Sequence, residues 1–452
     1  MSMGTTETHR LEQLVVALDH DVQNTSEANL KEYQAIEAFA KKHGVTLYSA
    51  GRGIGHQVMV EEGHGWPGTM IVASDSHSTH YGRIGCLGTP VVRTDASSVW
   101  ATSRTWWNVA PIARVTFTGR MPPGVTGKDV MVALCDIFKS DVLNSVVEFT
   151  GSEVTMETLL VDTRVTLANM GCEWGALAGR FPIDPTLKFW LRYTATEAAM
   201  LEDRTTRERI THERMGELFA KPITADPEAV YAKQLYLNLP SLSPYVSGSN
   251  SVKVATPFHE LAPQKIKVGC AYIVSWTNSR ASDIRAAARV FRDAAEANSG
   301  AVIKIADGVQ LYIAAASAPE QEAAKATGDW QVLLEADPGE VGISASNRNF
   351  KGRMGSRDAK AYLASPEAVA ASALRGVITG PGVYKVPKNW SGVDLGYGTG
   401  LVHTTENEVS DLGQQLDSLI DRVECRGATT TRFLKSVGIE LHEENINCLI
   451  PG

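Results

Sequence analysis

Cysteine is scarce in this chain. Its 452 residues hold six (Cys86, Cys135, Cys172, Cys270, Cys425 and Cys448), none of them spaced as C-x-x-C. That excludes a disulfide scaffold and reads as reduced thiols in a cytoplasmic protein. Long apolar runs are missing as well. The longest, such as Tyr312 to Ala318, fall far short of the roughly 20 residues that span a bilayer, and Met1 to Arg10 carries no apolar signal core. A basic block is also lacking: 43 Lys and Arg face 51 Asp and Glu, for a net charge of -8, so a phosphate backbone finds no electrostatic footprint. The expected partner is a small molecule, not nucleic acid or membrane. What is present is the profile of a folded, enzyme-like protein, with 43% hydrophobic and 21% charged residues and with 39 Gly and 19 Pro spread along a chain long enough for several domains.

Apolar, β-branched runs alternate with helical patterns, which points to an α/β architecture with mainly parallel sheets. Gln13–Leu18 reads as a buried strand. Asn24-Thr25-Ser26 can cap a helix with Leu30, Tyr33, Ile36 and Phe39 on one face, and Gly44 closes it. Met70–Ser74, Ala113–Gly119, Ala271–Ser275 and Val341–Ala345 are further strands, and Ser365, Pro366 and Gly376 bracket a late helix. Gly396-Tyr397-Gly398-Thr399-Gly400 lacks the Lys and helix of a phosphate loop and reads as a turn; Arg104-Thr105-Trp106-Trp107 reads as core.

The polar residues are placed with a pattern. Asp19-His20, Asp75-Ser76-His77, Thr277-Asn278-Ser279-Arg280 and Ser346-Asn347-Arg348 each follow a predicted strand. Carboxyl ends of strands are where open α/β sheets bind ligands, because unpaired N–H groups surround the crevice there. Each could equally be an ordinary helix cap; four together define a candidate cleft lined by His, Asp, Asn and Arg.

The same segments resemble the aconitase and isopropylmalate isomerase superfamily, and within it the homoaconitase branch. The matching motifs are Leu18 to Asn24, Gly51 to Gln57, Ser74 to Ser78, Gly85 to Thr89, Glu148 to Gly151, Ala168 to Met170, Glu173 to Ala176, Trp276 to Ala288 and Ser344 to Gly355, covering about residues 13 to 398. The resemblance implies a three-domain body around a [4Fe-4S] cluster, and a mobile fourth domain. It divides the chain into domains at 1–112, 113–238 and 239–400, with a tail at 401–452 that carries only the opening phrase of the fourth. Matched residue by residue, it implies a catalytic set of His20, His56, Asp75, Ser76 and His77. Asp19, Asn169, Glu173, Trp276, Asn278, Arg280, Asn347, Arg348 and Arg353 would bind substrate.

Departures from the family shape the functional expectation. The cluster needs three thiolates with one iron left open. Trp276 stands where the first cysteine belongs, and the C-x-x-C stretch expected between Trp330 and Pro338 is replaced by Gln331 to Asp337. No cofactor and no metal site are therefore expected. Trp276 reads either as filler of the vacated space or as a wall of a new apolar pocket. The expectation is an iron-sulfur-independent enzyme repurposed for specialised metabolism, foremost a pericyclase such as an intramolecular Diels–Alderase acting on a hydrophobic carbonyl or carboxyl compound. Alternatives are a metal-free acid–base lyase or isomerase, and a catalytically dead binding protein.

Overall fold

The computed structural model describes residues 7–200, 204–275, 277–336, 360–387 and 390–400. The strand predicted at 341–345, the tail 401–452, and Trp276, Asn347, Arg348 and Arg353 lie outside the described residues.

The chain opens with β1 (Val15–Ala17), α1 (Glu27–His43) and β2 (Thr46–Tyr48), with β2 parallel to β1. Ser26 accepts the Asn29 N–H at the start of α1, and Gly44 ends it in the left-handed conformation (φ 69°), as the cap residues predict. Its apolar stripe is only partly buried, however. Leu30 and Ile36 are exposed, Ala40 is enclosed, and Phe39 packs against Leu14 and Val45, so the shared face predicted by the spacing is covered only toward its C-terminal end. There follow α2 (Gly55–Glu61), β3 (Met70–Ala73), a 3-10 helix at Ser76–Ile84, β4 (Leu87–Pro90), parallel to β3, and α3 (Arg93–Thr102). Trp106, expected in the core, is 70% exposed; its ring N–H donates to Asp95 at 3.3 Å.

The largest sheet begins at β5 (Ile112–Thr118), followed by α4 (Gly127–Phe138), β6 (Val146–Gly151), α5 (Glu153–Met156), α6 (Val161–Asn169), α7 (Gly171–Trp174) and β7 (Ala178–Arg180). Three further helices, α8 (Pro185–Met200), α9 (Arg204–Arg209) and α10 (His212–Ala220), precede β8 (Lys233–Asn238). The chain continues through β9 (Tyr245–Ser247), β10 (Ala255–Pro257), α11 (Phe258–Leu261), β11 (Cys270–Ile273), α12 (Ala281–Ala297), β12 (Gln310–Ile313), α13 (Ala318–Ala326), α14 (Asp329–Ala336), α15 (Pro366–Arg375) and β13 (Leu395–Tyr397).

Strand order in the large sheet is β13-β8-β5-β6-β7, parallel throughout except at β13. Of its central strands, β6 is buried over Val146–Phe149 and β5 alternates buried with half-buried positions. Gly396 and Tyr397, read as a turn, instead form this edge strand, pairing with Tyr236 and Leu235. A separate core forms where α12, α14 and α15 cover the parallel pair β11–β12, with Ile273, Ile284, Phe291 and Leu311 inside. The fold is thus mixed α/β with mainly parallel strands, as expected.

Candidate active site

The chain turns after β1 and β3 deliver two acid–histidine pairs to one place. Asp75 caps the 3-10 helix, its carboxylate accepting the His77 backbone N–H at 2.7 Å. A carboxylate there satisfies an orphan donor and opposes the positive end of the helix. Two glycines let the backbone come this close to its neighbours. A Cβ on Gly82 would lie 1.4 Å from the Gly179 carbonyl oxygen, and one on Gly88 would lie 2.1 Å from that of Ser78. The 3-10 helix is therefore wedged between β4 and β7 by direct backbone contact, with Phe181 N–H donating to Gly82 O at 2.9 Å.

Asp75 is the hub. Its Oδ1 accepts from His56 Nε2 and from His77 Nδ1, each at 3.2 Å, while Oδ2 lies 3.7 Å from His20 Nε2. The network assigns the tautomers: Tyr81 O–H donates to His56 Nδ1 at 2.9 Å, leaving the proton on Nε2. His77 meets carboxylates at both nitrogens, with Nε2 3.2 Å from Glu173 Oε1, so it is an imidazolium. Burial opposes that charge, but hydrogen bonds to Asp75, Cys172 and Glu173 outweigh it and push the His77 pKa up to about 11. Burial likewise opposes the Asp75 charge, and the His56 and His77 contacts nevertheless hold its carboxyl well below the usual carboxylate range.

His20 differs from the other two imidazoles by being open to solvent, its side chain 66% exposed. Asp19 holds it: Oδ1 accepts from His20 Nδ1 at 2.6 Å, and Oδ2 accepts the Gly55 N–H at 2.6 Å. The Asp19 hydrogen bond raises the His20 pKa above its ordinary value despite partial burial. His20 is thus held at Nδ1 by Asp19 with Asp75 Oδ2 3.7 Å from Nε2, and an exposed imidazole oriented by carboxylates can serve as a general acid–base catalyst.

The turn leading into α2, which carries His56, is fastened to a distant part of the chain. Ile54 N–H donates to Ala316 O at 2.8 Å, and Ala318 N–H to Arg52 O at 3.0 Å. A Cβ on Gly53, whose φ is 145°, would meet Ser317 Cβ at 2.6 Å. Gln57 Nε2 donates to Glu320 at 3.2 Å, and Ser317 O–H to Glu61 at 2.5 Å.

Arg280 is placed differently from the histidines. It is 3% exposed and held by its own chain, Nη2 lying 2.9 Å from Asp283 and Nε 3.6 Å from Asp162. Asp283, Asp162 and Glu320 together raise its pKa against the cost of burial. Asn278 donates to Asp283 Oδ1 at 3.1 Å. Asn169 adjoins the histidines, its amide meeting His80 Nδ1 at 3.3 Å, and His80 stacks on His56 with ring centroids 5.8 Å apart. Ser76 Oγ lies 3.4 Å from His77 Nδ1. Asp19, His20, His56, Asp75, Ser76, His77 and Glu173 thus converge, with Asn169 adjoining; Arg280 and Asn278 form a neighbouring ionic cluster.

Lys128 and Cys172 are polar site residues that no sequence pattern singled out. Lys128 is 3% exposed and donates to Thr277 Oγ1 at 3.2 Å; burial pushes its pKa down to about 8. It lines a cavity of about 400 Å³ together with Val246, Ile266, Ile273 and Tyr362. Cys172 Sγ lies 3.8 Å from Glu173 Oε1. A Lys inside an apolar helix is indistinguishable in sequence from one on its surface.

A [4Fe-4S] cluster of the kind implied by the resemblance needs three thiolates converging on one centre. Four cysteines are described. Cys86 and Cys135 sit in separate cores, Cys270 is exposed at the start of β11, and Cys172 alone approaches the site. Residues 331–336, where two ligands would belong, form most of α14 and contain no cysteine. The described residues do not fit the cluster.

The aconitase family (aconitate hydratase) matches residues 3–376. Among similar proteins, the mitochondrial homoaconitase of Emericella nidulans is 58% identical over 483 residues, covering 100% of this chain and 62% of the relative. That of Aspergillus niger is 57% identical over 470 residues, covering 97% of this chain and 61% of the relative. The Neurospora crassa protein is 57% identical over 446 residues, covering 94% and 57%. The chain therefore spans less than two thirds of the length of these relatives. Among the described residues no helix is long and apolar enough to cross a membrane.

Proposed function

Since the chain belongs to the aconitase family, we propose that it is an enzyme acting on a small carboxylate-bearing molecule by proton transfer, independently of an iron-sulfur cluster. The observation that carries this reading is the Asp19–His20 pair, the one exposed imidazole of the Asp75 hub. His20 Nε2 takes a proton from carbon beside a carbonyl or carboxylate and returns it at a second carbon, while Asp19 stabilises the imidazolium formed in between. His56 and His77 are held by Asp75, and Ser76 lies against His77; together they keep the wall of the site fixed. Arg280 is engaged by Asp162 and Asp283; following the family resemblance, the substrate carboxylate is assigned to Arg348 and Arg353, with Asn278 and Asn347 as further binding residues. The reading divides the chain near 112, 238 and 400 and keeps it in a reducing compartment, the cytoplasm, in keeping with its free thiols.

A second reading, a pericyclic ring closure in specialised metabolism, is favoured by the cavity lined by Val246, Ile266, Ile273 and Tyr362, with Lys128 beside them. A hydrophobic polyene would be folded there while the ammonium hydrogen-bonds a conjugated carbonyl.

Deuterium exchange separates the two. The full chain is incubated in D2O with 2-oxo and β,γ-unsaturated carboxylic acids, and incorporation at carbon is followed by NMR. Proton transfer predicts exchange that His20→Gln abolishes and a primary isotope effect on turnover. Exchange indifferent to His20→Gln would overturn it, and turnover of a hydrophobic polyene without an isotope effect would establish the second reading.

A further inference from the structure

His77, Cys172 and Glu173 each present one donor atom to a common point. Nε2, Sγ and a carboxylate oxygen all lie within 4.8 Å of one another, with Nε2 3.2 Å and Sγ 3.8 Å from Glu173 Oε1. Zinc bond lengths and a tetrahedral angle require N···O and S···O edges of about 3.4 and 3.6 Å and an N···S edge of about 3.6 Å; the two edges at Glu173 are within about 0.2 Å of this, and the third, within 4.8 Å, closes by rotation of the Cys172 side chain. The outer contacts also suit one. Asp75 Oδ1 accepts from His77 Nδ1, the carboxylate–histidine arrangement that directs Nε2 toward a metal and raises its basicity. Cys172 and Glu173 lie in the short helix α7 and are only partly buried, which leaves an approach for a fourth ligand.

We infer that His77 Nε2, Cys172 Sγ and a Glu173 carboxylate oxygen form a binding site for one divalent transition-metal ion, zinc in the first instance, with a fourth position open to water or substrate. Binding displaces the proton on His77 Nε2 and the thiol proton of Cys172 to solvent; no electron is transferred. Imidazole, thiolate and carboxylate together match zinc or its cobalt surrogate. The proposal departs from the sequence expectation of no metal; the site is mononuclear, distinct from a cluster that would need three thiolates. An ion there would sit beside the Asp75 hub and supply Lewis acidity. It does not depend on which reaction the enzyme performs, because its test reads binding alone.

The full chain, stripped with chelator under reducing conditions, is titrated with Co2+ and then Zn2+. The expected result is one metal per chain, with a thiolate-to-cobalt charge-transfer band that zinc abolishes. Cys172→Ala should remove the band, and Glu173→Gln should weaken binding. Cys270→Ala, at the exposed thiol of β11, should leave both unchanged. Asp75→Asn should weaken affinity by about 10- to 100-fold, the usual effect of losing an outer-shell carboxylate, with thermal melts confirming that each variant is folded. No stoichiometric binding by the wild type, or a band that survives in folded Cys172→Ala, would overturn the assignment.

Discussion

Replacing Asp75 by Asn tests the hub directly. The amide keeps the shape and can still accept the His77 backbone N–H, since Asn caps helices as well as Asp does. It loses the charge that two imidazoles share at 3.2 Å each. A charge-assisted hydrogen bond contributes about 1.5–3 kcal/mol. The Asp75 side chain is 24% exposed, so water recovers part of the loss of two, and the penalty expected near pH 6 is about 2–4 kcal/mol. The dependence on pH follows from the two shifts. His77 binds its proton more tightly folded than unfolded, so its contribution is complete below the ordinary histidine value of about 6.5 and fades as pH rises toward about 11. Asp75 is depressed, so its contribution is complete above the ordinary carboxylate value and fades as pH falls below about 4. The penalty of Asp75→Asn is therefore greatest between about pH 4 and 6.5 and shrinks toward pH 10. Urea unfolding of both proteins at pH 6 and pH 9.5 measures it. A penalty below about 1 kcal/mol at pH 6, or one of equal size at both pH values, would refute the hub as described.

Asp19→Asn removes the acceptor that raises the His20 pKa, so an NMR titration of the His20 ring should show the midpoint moving down toward the free-histidine value; an unmoved midpoint would dissociate His20 from Asp19. Gly82→Ala sets a methyl group 1.4 Å from the Gly179 carbonyl oxygen, which the packed backbone cannot absorb, and should cost more than about 4 kcal/mol. It should appear as loss of soluble protein or a steep fall in melting temperature, and a melting temperature within a few degrees of wild type would contradict the wedge.

Local signals in the sequence were read well where local chemistry decides. Ser26 and Gly44 bound α1, and Ser365 and Gly376 bound α15, because a cap acts within one turn. The strand ends at Asp19, Asp75 and Thr277 likewise fall where the apolar runs stop. What stayed hidden depends on which surface an element meets. The apolar face of α1 was legible, but its exposure was not, since amphipathicity says nothing about whether a partner element arrives. Lys128 and Cys172 carried no motif. Lys128 reaches Thr277 across 149 residues and His77 meets Glu173 across 96, distances over which spacing holds no geometric information. Arg280 was expected to face a substrate carboxylate, yet it is enclosed by carboxylates of its own chain, two of which, Asp162 and Glu320, lie far from it in sequence.

The fastening of α2 and the turn before it to residues 316–320 bears on how the protein is made. Gln57 and Glu320 are 263 residues apart, and ribosomes add about 5–20 residues per second. For roughly 13 to 53 seconds after the first histidine motifs leave the ribosome, the segment that will anchor His56 does not yet exist. The nascent chain can complete β3, β4 and the 3-10 helix in that interval, since their partners as far as β7 precede Ser317 by more than a hundred residues, but not the register of Gly53 against Ser317. The last event in forming the site is then a long-range docking step. Slowing translation between codons 60 and 316 should lengthen the exposure of this unfinished edge to chaperones and proteases while leaving the finished molecule the same.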